Sequence, residues 1–282
     1  MDIQKALCQE YGLKTFQVEN TVKLIDEGNT IPFIARYRKE LTGSLDDQVL
    51  RELSDRLAYL RGLDERRAQI RGSIAEQGKL TDEISRAIDA AQTLAALEDI
   101  YRPYKPKRRT RATIAKERGL EPLAVIILGQ DLTGPLEEAA LAFVDAGKEV
   151  PTAGDAIQGA CDIIAEMISD DAGYRATVRQ MSRDSGLISS SAADAGKESV
   201  YEMYYDYQEP VSKIAGHRVL AVNRGEAEGF LKVKLETPVD NILAALNAEI
   251  VRNNYYTRPA MERTVEDAYS RLIAPSIERE LR

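Results

Sequence analysis

DDQVLRELSDRLAYLRGLDERRAQIRGSIAEQ, Asp46 to Gln77, is the stretch that decides the fold. Val49, Leu53, Leu57, Leu60, Leu63, Ile70 and Ile74 recur at three, four or seven residues, with arginines and acids between them. That is the pattern of a single apolar stripe on a long α-helix. Gly62 and Gly72 each weaken such a helix by about 1 kcal/mol relative to Ala, which allows a bend. Just before it, Ser44 to Asp47 resembles a capping box with Asp in place of Glu.

Outward from that helix the reading stays helical. Ile3, Leu7 and Tyr11 form one stripe closed by Gly12, and Phe16 to Ile25 form another that ends at Gly28-Asn29. Pro32 suits the first turn of a helix through Thr30–Lys39. Thr81 starts a helix through Ala91, and Leu94 to Ile100 is a short one stopped by Pro103 and Pro106. Beyond, Pro122–Leu128 and Leu136–Ala146 look helical. Asp155 to Ser182 reads as one long helix, and Asp240–Arg252 and Glu262–Ile273 as amphipathic helices. Ser185–Ser191 is ambiguous. His217–Arg224 suits either a short helix or the first arm of a hairpin, and Phe230–Glu236 alternates as a strand does. The expected fold is therefore mainly α: a multi-helix array with one long helix and at most a small β element near 217–236. Three regions are expected, 1–110 with the long helix at about 46–77, a helical 111–210, and 211–282 with the β element and further helices. The last residues, Ile277 to Arg282, read as mid-helix, as if cut from something longer.

Composition excludes several function classes. The chain has 282 residues, 44% hydrophobic and 30% charged, an ordinary globular balance. Cys8 and Cys161 are its only cysteines and lack His or Cys neighbours, so neither a disulfide scaffold nor a zinc site is expected. There is no apolar run of the roughly 20 residues a membrane span needs, and no signal-peptide pattern at the start. A cytoplasmic protein without membrane association is expected. No nucleotide loop occurs, His217 is the only histidine, and Asp46-Asp47 and Asp170-Asp171 are adjacent pairs that diverge on a helix. No cofactor, metal or catalytic residue is expected, and the chain is not expected to be an enzyme. Arg218-Val-Leu-Ala-Val-Asn223 imitates a nuclease metal strand, but an amide where the carboxylate belongs is a poor anchor for Mg²⁺, so a structural turn is the better reading.

The clearest functional mark is Tyr101–Arg118. It holds eight Lys/Arg against one acid, +7 in a chain whose total is −8, so all other residues together carry −15. Prolines hold it extended, and tyrosines interleave with cations as where bases stack and phosphates are neutralised. The competing reading pairs these cations with acidic helices of the same chain. A second cluster, Arg36, Arg38 and Lys39 beside Phe33, Ile34 and Tyr37, is a weaker candidate; its stems are expected to pack on the core and its heads to pair with Glu40 or neighbours. The tyrosines at 201–207 and Tyr255-Tyr256 are expected to be packed.

Three strings, in this order, resemble the Tex family of bacterial RNA-binding transcription accessory proteins. They are Thr30-Ile-Pro-Phe-Ile-Ala-Arg-Tyr-Arg-Lys-Glu-Leu-Thr-Gly, then Leu97-Glu-Asp-Ile-Tyr-Arg-Pro-Tyr-Lys-Pro-Lys-Arg-Arg-Thr-Arg-Ala-Thr-Ile-Ala, then His217-Arg-Val-Leu-Ala-Val-Asn-Arg-Gly-Glu followed by Leu272-Ile-Ala-Pro-Ser-Ile-Glu-Arg-Glu. The resemblance covers essentially the whole chain. It implies an elongated, mainly helical region containing a helix-turn-helix-like unit and a long central helix. It also implies that a ribonuclease-H-like domain, helix-hairpin-helix motifs and an S1 domain follow outside this chain. The S1 domain is the family's main nucleic-acid binder. RNA or single-stranded DNA would then be bound mainly through those missing domains. Within the chain, Lys105, Lys107, Arg108, Arg109 and Arg111 match the second string and are the candidates for sequence-independent phosphate contact. The alternative is a helical scaffold for intramolecular or RNA polymerase contacts.

Overall fold

The computed structural model describes residues 2–194 and 196–282. They form two compact units, Met1–Tyr101 and Arg102–Arg282. The protein is mainly α, as the periodicity implies.

In the first unit α1 (Ile3–Tyr11), α2 (Thr15–Asp26), α3 (Ile31–Tyr37) and α4 (Lys39–Thr42) precede α5 (Asp47–Glu76), followed by α6 (Asp82–Ala90) and α7 (Leu94–Tyr101). The long helix is uninterrupted through Gly62 and Gly72. Its N-cap is Asp46, whose carboxylate accepts the Val49 N–H at 2.8 Å. Ser44 stands outside the helix in the left-handed region (φ 63°), so the capping box expected at Ser44 is replaced by a single aspartate cap. Leu50, Leu53, Leu57, Leu60, Leu63, Ile70 and Ile74 form the buried stripe. Each such side chain contributes about 1.5–3 kcal/mol when removed from water. The amino-terminal half of that stripe meets Leu7, Val18, Val22, Leu24 and Ile34. Further along, arginines on the flanks clasp neighbouring helices: Arg66 pairs with Glu98 at 2.6 Å, and Arg71 with Asp89 at 2.6 Å.

The second unit is built around α11 (Ala153–Asp170). Before it come α8 (Arg111–Glu117), α9 (Glu121–Gly129) and α10 (Leu136–Leu141). After it come α12 (Ala172–Ser185), α13 (Gly216–Ala227), α14 (Val239–Ile250), α15 (Arg258–Asp267) and α16 (Ala274–Leu281), with a π turn, Ala268–Ile273, joining the last two. Ala156, Ala160, Ile163, Ile164 and Ile168 of α11 anchor a core that runs from Ala112 to Ile277 in sequence. The small residues let backbones approach. A Cβ on Gly159 would stand 2.4 Å from the Leu120 side chain.

The single helix expected from Asp155 to Ser182 is two helices. Asp171 leaves helical geometry (ψ 123°), and its carboxylate accepts from Gly173 and Tyr174 N–H, which caps α12 and turns the chain. The β element is a three-stranded antiparallel sheet of order β2-β1-β3, with β1 Leu187–Ala192, β2 Asp206–Pro210 and β3 Leu231–Glu236. The ambiguous Ser185–Ser191 run supplies its central strand. The 217–224 run is helical, as α13, and covers the sheet through Val222, with Tyr201, Tyr204, Leu231 and Val233 filling the space between. The tyrosines at 201–207 are packed as expected, Tyr204 edge-on to Tyr207 at 5.1 Å. Tyr255 is not: it is 87% exposed.

Candidate nucleic-acid interface

The basic segment leaves α7 through a 3₁₀ turn, Arg102–Tyr104, and runs without regular secondary structure until Thr110 caps α8, its hydroxyl accepting the Thr113 N–H at 3.1 Å. Pro103, within the 3₁₀ turn, and Pro106 after it keep the segment from continuing the α-helix. Tyr101, expected among the stacking tyrosines, is buried in the first unit with its hydroxyl 3.0 Å from Ser73 Oγ, so it offers no face to a base.

The second unit meets this segment with carboxylates. Asp162, Glu166 and Asp170 lie four residues apart along α11 and so share one face. Lys107 donates to Asp170 and lies 3.6 Å from Glu166. Arg271 stands 3.5 Å from Asp162 and 2.5 Å from Asp267. Burial pushes the Asp162 and Asp170 carboxyls above their usual range; Arg271 and Arg111 beside the first, and Lys107 beside the second, pull the other way without prevailing. At the edges of the segment Arg118 pairs with Glu149 at 2.5 Å and Lys116 with Glu121 at 3.6 Å. Arg102 donates to Ser276 Oγ at 3.2 Å, and Arg175 donates to the same hydroxyl at 2.9 Å.

The five candidates therefore divide. Lys107 is committed to the α11 ladder. Arg111 sits at the start of α8, its charge felt by Asp162. Arg109 reaches Glu117 at 3.1 Å, but 71% of its side chain is open to solvent. Lys105 and Arg108 are exposed and have no acidic partner among the described residues. Of the weaker cluster, Arg36, Arg38 and Lys39 are all exposed, and none of them pairs with Glu40 among the described residues. The expected pairing is replaced by a stack: the Arg38 guanidinium lies 5.0 Å from the Phe33 ring centre, which in turn is 5.3 Å from that of Tyr37. The α11 ladder escaped the sequence reading, although its i, i+4, i+8 spacing was visible.

Asn223 is accounted for structurally. Its side chain exchanges hydrogen bonds with Arg282, donating to the carbonyl at 3.1 Å and accepting from the guanidinium at 3.1 Å. Among the described residues no group of three or more His, Cys, Asp or Glu is placed to hold a metal ion, and no helix is long and apolar enough to cross a membrane.

Residues 1–75 match the family model for the Tex-like protein N-terminal domain, and residues 131–282 match the Tex central region-like model. The uncharacterized protein YdcI of Bacillus subtilis is 46% identical over 284 residues, covering 99% of this chain and 40% of its own. The transcriptional accessory protein Tex of Neisseria gonorrhoeae is 44% identical over 86% of this chain and 32% of its own. The human S1 RNA-binding domain-containing protein 1 is 28% identical over 100% of this chain and 30% of its own. The chain thus spans 40% or less of the length of these relatives.

Proposed function

The chain belongs to the Tex family, and from that premise we propose that it is a non-catalytic part of a transcription accessory protein that lends an auxiliary surface to single-stranded nucleic acid. Lys105, Arg108 and Arg109 make that surface and contact phosphates without regard to sequence. The observation that carries the reading is the division of the basic segment. Lys107 ties the backbone down on α11, so Lys105 and Arg108 project from an anchored strand rather than a free tail. Anchoring lowers the entropy lost when a strand of phosphates is bound. The printed names of two relatives, a transcriptional accessory protein and an S1 RNA-binding domain-containing protein, support the same class of partner.

The second reading is a helical scaffold for contacts with the rest of a longer protein or with RNA polymerase, in which the segment is only a brace. The ion pairs of Lys107, Lys116 and Arg118 favour it. A salt titration separates the two. If the surface reading holds, affinity for single-stranded RNA or DNA falls steeply with salt. Reversing Lys105, Arg108 and Arg109 to Glu then lowers it by about 100-fold at low salt and flattens the log–log slope by about 2. Unchanged affinity and slope would leave the brace alone.

A further inference from the structure

Between α14 and α15 runs a short turn, Arg252-Asn-Asn-Tyr-Tyr-Thr-Arg258, fixed by two amide side chains. Gln130, itself in left-handed geometry (φ 54°), clamps the entry: its Nε2 donates to the Ile250 carbonyl at 2.9 Å, and its Oε1 accepts the Arg252 N–H at 2.7 Å. Asn254 locks the middle. Its Nδ2 donates to the Leu132 carbonyl at 3.0 Å, while its Oδ1 accepts the Tyr256 N–H at 3.0 Å, the Thr257 N–H at 3.1 Å and the Thr257 hydroxyl at 3.2 Å. What this fixed turn holds out is Tyr255, 87% exposed, edge-on to Tyr256 with ring centres 5.3 Å apart and planes at 84°. Beside it opens a groove of about 780 Å³, lined by Asn253, Tyr255, Tyr256, Arg258, Glu137 and Glu262 among others.

We propose that Tyr255 is a stacking platform for a base of single-stranded nucleic acid, with Arg258 serving the adjoining phosphate. Three physical points favour that occupant. An aromatic face in water, braced by a second ring and by backbone bonds, can stack on a base with little further loss of freedom. The turn carries Arg252 and Arg258 and no acid, which suits an anion. Arg258 spends its charge on Glu262 at 2.8 Å, an exposed pair one helical turn apart, and such pairs are weak enough for a phosphate to displace. Glu137, which also lines the groove, disfavours a second phosphate there and leaves that space to the neutral base. A proline-rich peptide would use the aromatic pair but gain nothing from the arginines. The proposal rests on the nucleic-acid reading above and adds a site outside the basic segment.

The test uses the intact chain with a fluorescein-labelled uridine dodecamer at low salt, beside a strand of the same backbone without bases. Tyr255→Ala is expected to bind the dodecamer about 10- to 100-fold more weakly with an unchanged salt slope, whereas Tyr255→Phe binds as the native chain does. The native chain is expected to bind the baseless strand as weakly as Tyr255→Ala binds the dodecamer. Because the side chain is exposed, its removal leaves the fold intact, which circular dichroism would check. Binding by Tyr255→Ala within twofold of native, while reversal of Lys105 and Arg108 still weakens it, overturns this site and spares the basic segment. Loss of proline-rich peptide binding on Tyr255→Ala, without loss of dodecamer binding, overturns it in favour of a peptide. No dodecamer binding by the native chain overturns both readings.

Discussion

Two stretches of this protein carry cations at similar density, Ile31–Lys39 in the first unit and Tyr101–Arg118 at the start of the second, and they are held in opposite ways. In the first, Arg36 and Lys39 stand in solvent and Arg38 rests on the Phe33 ring. In the second, a ladder of carboxylates on α11 receives Lys107, and flanking acids receive Lys116 and Arg118. The difference teaches that a count of charges says little about their availability. A cation opposite a half-buried carboxylate, as Lys107 is, is held in place, because leaving that carboxylate unpaired is costly, while a cation on an exposed helix face is free to meet a partner.

The contrast can be broken most directly at Lys107. Lys107→Met strips the charge from a half-buried pair and is expected to lower stability by about 1 kcal/mol, read as a shift in the urea midpoint. Its effect on nucleic-acid affinity should be small beside that of reversing Lys105 and Arg108, which in turn should leave the midpoint nearly in place. A Lys107→Met protein as stable as the native one would remove the distinction between brace and surface. In the other stretch, Arg38→Ala is expected to cost about 0.5 kcal/mol, the worth of an exposed cation–aromatic contact. Arg36→Ala and Lys39→Ala should each change stability by less than about 0.5 kcal/mol. A larger loss at either would show a contact of the kind that holds Lys107.

Smaller still is the response to acid, and it differs between the units in sign. Hydrogen bonds from Arg56 and Arg61 hold the Glu10 and Asp26 carboxyls below their usual range. The stability they contribute is present above the ordinary carboxylate pKa and is lost as the pH falls through the lowered one. Both pairs are substantially exposed, so each contributes at most about 0.5 kcal/mol. Asp162 and Asp170 are pushed up by burial. Their contribution is present below the ordinary carboxylate pKa and lost as the pH rises through the raised one. On acidification below pH 5, hydrogen exchange should therefore quicken around α1, α2 and α5 before it does along α11. The reverse order would show that the α11 ladder is governed by its cations rather than by its burial.

Much of the architecture was legible in the chain itself. The stripe from Leu53 to Ile74 and the cap at Gly12 are local matters of period and of backbone freedom, and they survive folding because neighbouring helices want the same face buried. The strand at Phe230–Glu236 was legible for the same reason, as alternation. The basic segment and the family it points to were legible as composition and as strings. Tertiary structure alone decided the rest. Whether Asp170-Asp171-Ala-Gly continues a helix or caps a new one depends on where Asp171 can aim its carboxylate. Whether Lys107 or Lys105 faces solvent depends on a ladder more than fifty residues away in sequence. Tyr255 shows the limit most plainly: two tyrosines side by side read as core, yet Gln130 and Asn254 fix the turn so that one ring stays outside. Period and composition report what each residue prefers, and only long-range contacts determine which preferences are met.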